Sequence, residues 1–295
     1  MSKPKPILVH LALILVSLIY GVNYIFLKTI TPDPITPKAL LLVRSTGAFI
    51  FISILYELKG EKQKIIKKQH WFSLVLCGVC GASINQLLFF EGISRTSAFN
   101  SSLIVISIPV FVFILAFFSK KEKFSLSKFL GIILGMAGAA LIVINSAKNG
   151  NQNDDFLGDI FVLLNCLFFA IYFMLVKPLS QHYQPLLVAK WMFFFGSIIS
   201  FPFGIQSFID TSWSTMSIYD YLVLSSLIII VTSAGYIVNT WALKYANATN
   251  VSFYIYLQPL FTGVGTALFM NETFSLAKLL SAILIFVGVY LINRK

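Results

Sequence analysis

The stretches SSLIVISIPVF at 101–111 and VSFYIYLQPLF at 251–261 decide how this chain folds. Each sets a proline, Pro109 or Pro259, in the middle of an apolar run. Laid over one another without a gap, the match extends over 97–143 and 247–292. Ala98 meets Ala248, Asn100 meets Asn250, Ser102 meets Ser252 and Phe111 meets Phe261. Further on, Glu122 meets Glu272, Phe124-Ser125-Leu126 meets Phe274-Ser275-Leu276, Lys128 meets Lys278 and Gly138 meets Gly288. Shared apolarity cannot bring Pro, Glu, Asn, Lys and Gly into one register. The chain therefore repeats itself.

Composition fixes the setting. Of 295 residues 58% are hydrophobic and 11% charged, with a mean hydropathy of +0.86. A soluble core of this size carries more polar surface. The apolar residues come in blocks near the length that spans a bilayer. Ten blocks are expected, near 7–28, 36–57, 70–91, 97–119, 127–146, 157–177, 186–207, 220–243, 250–270 and 276–293. They are continuously apolar and too long for barrel strands, so they predict helices. The first block is too long for a signal-peptide core and reads as a retained helix. The predicted class is an all-α integral membrane protein, multi-pass, of a prokaryotic inner or plasma membrane.

The net charge of +11 is a topology signal. With the N-terminus in the cytoplasm, fifteen Lys and Arg fall in cytoplasmic segments and five in outer ones, with Arg44 and Lys190 inside spans. That bias puts both termini in the cytoplasm. It calls for lipid headgroups as a partner and argues against nucleic acid. Cys77, Cys80 and Cys166 all fall inside spans and read as packing thiols.

The first halves of the repeats match more loosely. YGVNYIFLK at 20–28 is similar to FAIYFMLVK at 169–177, and Pro37 falls near the place of Pro185. Each repeat, 1–149 and 150–295, then holds five spans. Five is odd, so the second copy enters from the opposite side of the membrane. The product is an inverted repeat, an architecture that places substrate near the midplane between the repeats.

The order of motifs resembles the EamA branch of the drug/metabolite transporter superfamily over essentially the whole chain. The residues that carry the resemblance are GVNYIFLK, then LLLVRSTGAF, then LLFFEGISRTSAFNSSLIVISIPVF with a Glu before FSLSKFLGIILGMAGAALIV. The second half adds GDIFVLLNCLFFAIYFMLVKPL and GYIVNTWALKYANATNVSFYIYLQPLF. The resemblance implies a ten-helix exporter or permease for amino acids, other metabolites, nucleosides, purines or drug-like compounds. The chain departs from the common pattern at Asn239-Thr240-Trp241, where many members have aromatic-Asn-Tyr.

Candidate functional residues are the polar ones inside spans, because such side chains face protein or water rather than lipid. Pro109 and Pro259 strand the carbonyls of Val105 and Ile255 and read as paired hinges around a central cavity. Gln258, whose counterpart is Ile108, shares a helix face with Tyr254. Asn23, Tyr24, Asn85, Gln86, Ser101 and Ser102 in the first repeat, with Asn165, Tyr172, Tyr236 and Asn239 in the second, describe a polar, aromatic-rich cavity. Arg44 either holds a substrate carboxylate or phosphate, or snorkels to the surface or binds backbone carbonyls. Lys190 reads as a snorkelling cation.

The acidic residues all fall in segments between spans or at span ends, including Asp159, and none reaches midmembrane depth. Glu91 is the nearest candidate for proton coupling. Gly131, Gly135 and Ala139 form a small-residue stripe for close helix packing, or secondarily a dimer contact, so the chain is expected as a monomer or weak homodimer. His10, His70 and His182 lie at span ends, and no HExxH or GxSxG occurs. An intramembrane enzyme is therefore disfavoured, and no metal or cofactor is expected. The reading is a secondary transporter of a small-molecule solute; the alternative is a membrane sensor or receptor that binds a ligand without moving it.

Overall fold

A computed structural model describes residues 6–60, 63–65, 67–119, 126–149, 155–246, 248–269 and 276–293. The matched acids Glu122 and Glu272 lie outside these residues. Helix α1 covers Pro6–Ile30, α2 Pro37–Leu58, α3 Lys68–Arg95, α4 Ala98–Phe118 and α5 Leu126–Asn149. Helix α6 covers Phe156–His182, α7 Pro185–Asp210, α8 Ile218–Tyr245, α9 248–269 and α10 Leu276–Asn293. Among the described residues seven helices, α1 to α4 and α6 to α8, are long and apolar enough to cross a membrane.

Local chemistry sets the starts. Helices α2 and α7 each begin on a proline at the first turn, Pro37 and Pro185, where the missing N–H costs nothing. Ser97 caps α4 by accepting from the Asn100 N–H at 3.2 Å, and Asp155 caps α6 through the Leu157 N–H at 3.1 Å. Ser217 and Asp220 form a reciprocal capping box at the start of α8.

The packing has a twofold logic. Helix α2 lies against its twin α7, and α5 against its twin α10. Helix α1 packs on α8 and α9, while α6 packs on α3 and α4. The first helix of each half is thus wrapped by the third and fourth of the other. Close approach at α5–α10 needs glycine. A Cβ on Gly288 would stand 2.5 Å from the Gly131 carbonyl oxygen and 2.6 Å from the Gly135 nitrogen. Gly131 and Gly135 of the small-residue stripe of α5 are taken up by this internal contact.

Four interruptions break the helices at matched depth. Helix α3 contains a π-helical segment at Gly78–Ser83, and α8 contains one at Leu227–Ala234. Helix α4 breaks at 106–107, between Ala98–Val105 and Ile108–Phe118. Helix α9 tightens into a 3-10 segment at Phe253–Leu257 before Gln258–Phe269. The last two precede Pro109 and Pro259, whose rings bar the ordinary hydrogen bond.

The two ends of the bundle differ. At the end carrying Lys59, His182 and Lys244, hereafter the basic end, the segment Lys68–Cys77 of α3 packs against both α6 and α7. His70 Nδ1 pairs with the Tyr183 hydroxyl at 2.9 Å, and the Trp71 and Trp191 rings meet edge to face at 4.6 Å. Gln63 clamps the α6–α7 corner, donating to the His182 carbonyl at 3.1 Å and accepting from the Gln184 N–H at 2.7 Å. At the opposite end the equivalent segment Ile218–Ser226 of α8 touches α1 but does not pack on α2. Its Ile218, Tyr219, Tyr221 and Leu222 side chains are exposed.

Candidate functional site

A cavity of about 80 Å³ lies where α1, α2, α3, α4, α6, α8 and α9 converge. Helix α1 supplies Tyr20, Asn23 and Tyr24, one turn of a single face. Gly21 lets α9 approach that turn, since a Cβ there would stand 2.6 Å from Phe261 Cβ. Thr262 Oγ1 donates to the Gly21 carbonyl at 3.0 Å and fixes the register. Across the contact the Tyr24 hydroxyl donates to Gln258 Oε1 at 3.2 Å.

The π-helical segments shape the next walls. Such a turn leaves carbonyls without their usual helical donor. In α3 the Gly81 carbonyl is taken by the Tyr236 hydroxyl of α8 at 2.7 Å. In α8 Thr232 and Ser233 turn their hydroxyls back onto the Leu227 and Ile228 carbonyls, each at 2.8 Å. Just past the α3 segment, Asn85 and Gln86 enter the lining. Asn85 and Asn165 exchange side-chain to main-chain hydrogen bonds, both at 3.0 Å, and join α3 to α6.

Arg44 of α2 is the cation of the site. It is 4% exposed and lines the cavity, with its guanidinium carbon 4.8 Å from the Phe90 ring centre. Its Nε and Nη2 donate to Thr232 Oγ1 at 2.9 and 2.6 Å. Its Nη1 is buried with no hydrogen-bond partner among the described residues, and so is Asn23 Oδ1. Among the described residues no Asp or Glu lines the cavity. The chamber therefore holds an uncompensated positive charge, facing amides, phenols and aromatic rings. A buried cation without a counter-ion is unfavourable, and an anionic solute group relieves it.

Other predicted residues stand outside this lining. Tyr172 packs behind Tyr236 with ring centres 5.6 Å apart, and its hydroxyl lies 3.5 Å from Thr240 Oγ1. Ser102 donates to the Phe99 carbonyl at 2.7 Å, while Ser101 is buried within α4. Tyr254 shares a much smaller adjoining space with Gln258, Tyr20 and Asn239, and its hydroxyl meets His10. Glu91 is partly exposed and pairs with Arg95 at 3.6 Å along its own helix. Asp159 differs from its expected place in an outer segment. It is fully buried one turn into α6, and Thr96 Oγ1 donates to its Oδ1 at 2.6 Å. Lys190 reaches Glu57 at 2.9 Å and covers the Tyr56 ring. Cys77, Cys80 and Cys166 are free and buried. Among the described residues no group of His, Cys, Asp or Glu is arranged to hold a metal ion.

Sequence reasoning passed over Tyr20, Phe89, Phe90 and Phe169, which with Tyr24 and Tyr236 form the aromatic part of the lining. Tyr20 carried a readable signal, being one turn before Tyr24 on the face that holds Asn23. The three phenylalanines carried none, in a chain with 29 of them.

The family model described as the EamA-like transporter family matches the chain twice, over residues 7–144 and 156–294. The chain belongs to the EamA-like transporter family. It is thus an integral, multi-pass membrane transporter of the drug/metabolite type. An uncharacterized transporter of Archaeoglobus fulgidus is 26% identical over 97% of both chains. The uncharacterized transporter YoaV of Bacillus subtilis is 23% identical over 96% of both chains. A chloroplastic WAT1-related protein of Arabidopsis thaliana is 27% identical over 76% of this chain, which spans 55% of that relative's length. A solved crystal structure superposes with a TM-score of 0.69 over 98% of both chains at 13% identity, a likeness of fold alone. The two family matches fall one on each half of this EamA-like chain, and residues of both line the cavity.

Proposed function

We propose that this EamA-like protein is a secondary transporter for a small organic metabolite bearing a carboxylate, such as an amino acid, working by alternating access at the cavity between its halves. The halves are 1–149 and 150–295, inverted repeats of five spans each, with both termini cytoplasmic. The observation that carries the reading is Arg44: a buried guanidinium in a cavity without acids, with Nη1 unpaired. A carboxylate is the group that this geometry accepts best. Asn23 Oδ1 is an open acceptor for an ammonium or hydroxyl on the same solute.

Two features support alternating access. The cavity holds about 80 Å³, far below the several hundred Å³ of a site that admits a metabolite freely, so helices must part for entry. At the basic end the His70–Tyr183 and Trp71–Trp191 contacts hold α3 to α6 and α7, while the other end of α8 stands off α2. This asymmetry fits a state poised toward the outside.

The test is flux into liposomes. Purified protein is challenged with an amino acid, its decarboxylated amine, a nucleoside and a sugar. The expected result is flux of the amino acid and not of the amine. Flux of the amine at equal rate overturns the carboxylate assignment. Stabilisation by a solute with no flux of any solute overturns transport and favours a receptor.

A further inference from the structure

A second, larger cleft opens sideways on the basic end, between the last turns of α2, the start of α7 and the second half of α8. It encloses about 560 Å³ and is separate from the Arg44 cavity. Its walls are apolar along α8, from Ile229 and Ile230 to Trp241. Ile229 and Ile230 are 41% and 48% exposed on a span, so this wall faces lipid. Its polar residues include two cations, Lys59 and Lys244, and no acid among the described residues.

Neighbouring charges are committed elsewhere. Glu57 is paired with Lys190 at 2.9 Å. Lys177 donates to the Leu243 and Ala246 carbonyls and so satisfies the end of α8. Among the described residues neither Lys59 nor Lys244 has an ion-pair partner. Trp241 and Tyr245 meet edge to face at 5.5 Å beside Lys244, the aromatic pairing found at headgroup level. Along α8 the rise from Ile229 to Lys244 is about 22 Å, more than the roughly 15 Å of one hydrocarbon leaflet. The other half has no equivalent. In the matched stretch of α3, Glu91 stands for Trp241 and Ser94 for Lys244.

We propose that this cleft binds one anionic phospholipid, its phosphate between Lys59 and Lys244 and one acyl chain laid along α8 from Trp241 to Ile229. Paired lysines at the mouth of a groove between spans are the arrangement that retains an anionic headgroup. The bound chain fills the gap between α2 and α8 and steadies α8 at the basic end. The inference is independent of which solute the transporter moves.

The experiment is lipid retention by the detergent-purified chain, read by native mass spectrometry and by melting temperature. Phosphatidylglycerol, phosphatidylcholine and soluble glycerol 3-phosphate are compared. Phosphatidylglycerol is expected to stay bound at one copy and raise the melting temperature; phosphatidylcholine and glycerol phosphate are not. The double variant K59Q/K244Q should weaken retention roughly thirtyfold, and Ala234→Trp, which fills the cleft but keeps both lysines, should also abolish it. A control, K67Q/K68Q, should retain the lipid. Equal retention of phosphatidylcholine overturns the proposal. So does an equal loss in K67Q/K68Q, which means general surface charge, or a full shift with glycerol phosphate, which means a free-anion site.

Discussion

Arg44 and Thr232 form a hydrogen-bonded fork across the boundary between the halves, Nε at 2.9 Å and Nη2 at 2.6 Å from one hydroxyl oxygen. That hydroxyl belongs to the π-helical segment of α8, so the backbone irregularity and the Arg44 cation of the cavity are one unit.

Thr232→Val keeps the shape and removes the acceptor. It leaves two guanidinium donors unpaired and should cost about 1–3 kcal/mol of stability, with KM raised about tenfold or more. Thr232→Ser should behave like wild type. The measurements are the melting temperature and initial flux rates in liposomes.

Arg44→Gln should abolish flux of carboxylate solutes while the chain still folds and inserts. Arg44→Lys should fail almost as badly, because an ammonium cannot hold Thr232 and a carboxylate in a planar fork. Binding of the amino acid, measured by calorimetry on the purified chain, should weaken by about 2–5 kcal/mol in both.

Gln258 has Ile108 as its counterpart in the other half and accepts from the Tyr24 hydroxyl at 3.2 Å. Gln258→Ile makes the walls alike and strands that hydroxyl. The ratio of rates between polar and apolar amino acids should move toward the apolar ones by about tenfold, a one-hydrogen-bond effect. Tyr24→Phe with Gln258 intact should shift it less. An unchanged ratio in both variants removes Gln258 from solute choice.

Gly78 sits at the start of the π-helical segment of α3, where a Cβ would stand 2.8 Å from Phe195 Cβ and 3.0 Å from the Met192 carbonyl oxygen. Gly78→Val should push α3 off α7, cost about 1–3 kcal/mol, and weaken the contacts that His70 and Trp71 make. Increased labelling of a cysteine placed at Gln63 reports the loosening.

Pro109→Ala and Pro259→Ala restore a hydrogen bond at each break. Flux should fall several-fold in each and further in the double variant, with solute affinity within about twofold of wild type. Weakened binding without a change in maximal rate would assign the prolines to site shape instead of motion.

Much of this is readable from residue type and position. The matched prolines give the duplicated halves and locate the breaks at 106–107 and 253–257. Asn23, Tyr24, Arg44 and Gln258 announce themselves because polar groups in an apolar span need a reason to be there. Phe89, Phe90 and Phe169 do not, since aromatic residues are ordinary filling in such spans. Asp159 is misplaced by the charge count because proximity to a helix start resembles a loop; burial under Thr96 needs the third dimension. Tyr254 does line a space with Gln258, but a small one beside the Arg44 cavity, and its hydroxyl meets His10, a pairing across the chain that residue spacing does not reveal.

The π-helical segment of α3 has one more implication. A wider turn holds one residue more than an α-turn, and each residue rotates a helix by about 100°. Asn85 and Gln86 follow Gly78–Ser83, and because the wider turn absorbs its extra residue they keep the phase of the helix before it. Deleting one apolar residue from that segment would let it relax to ordinary α-turns with both amides still facing the chamber, yet would take away the free Gly81 carbonyl that Tyr236 holds. What the extra residue adds is a carbonyl left free on α3, and with it a hydrogen bond that ties α3 of one half to α8 of the other.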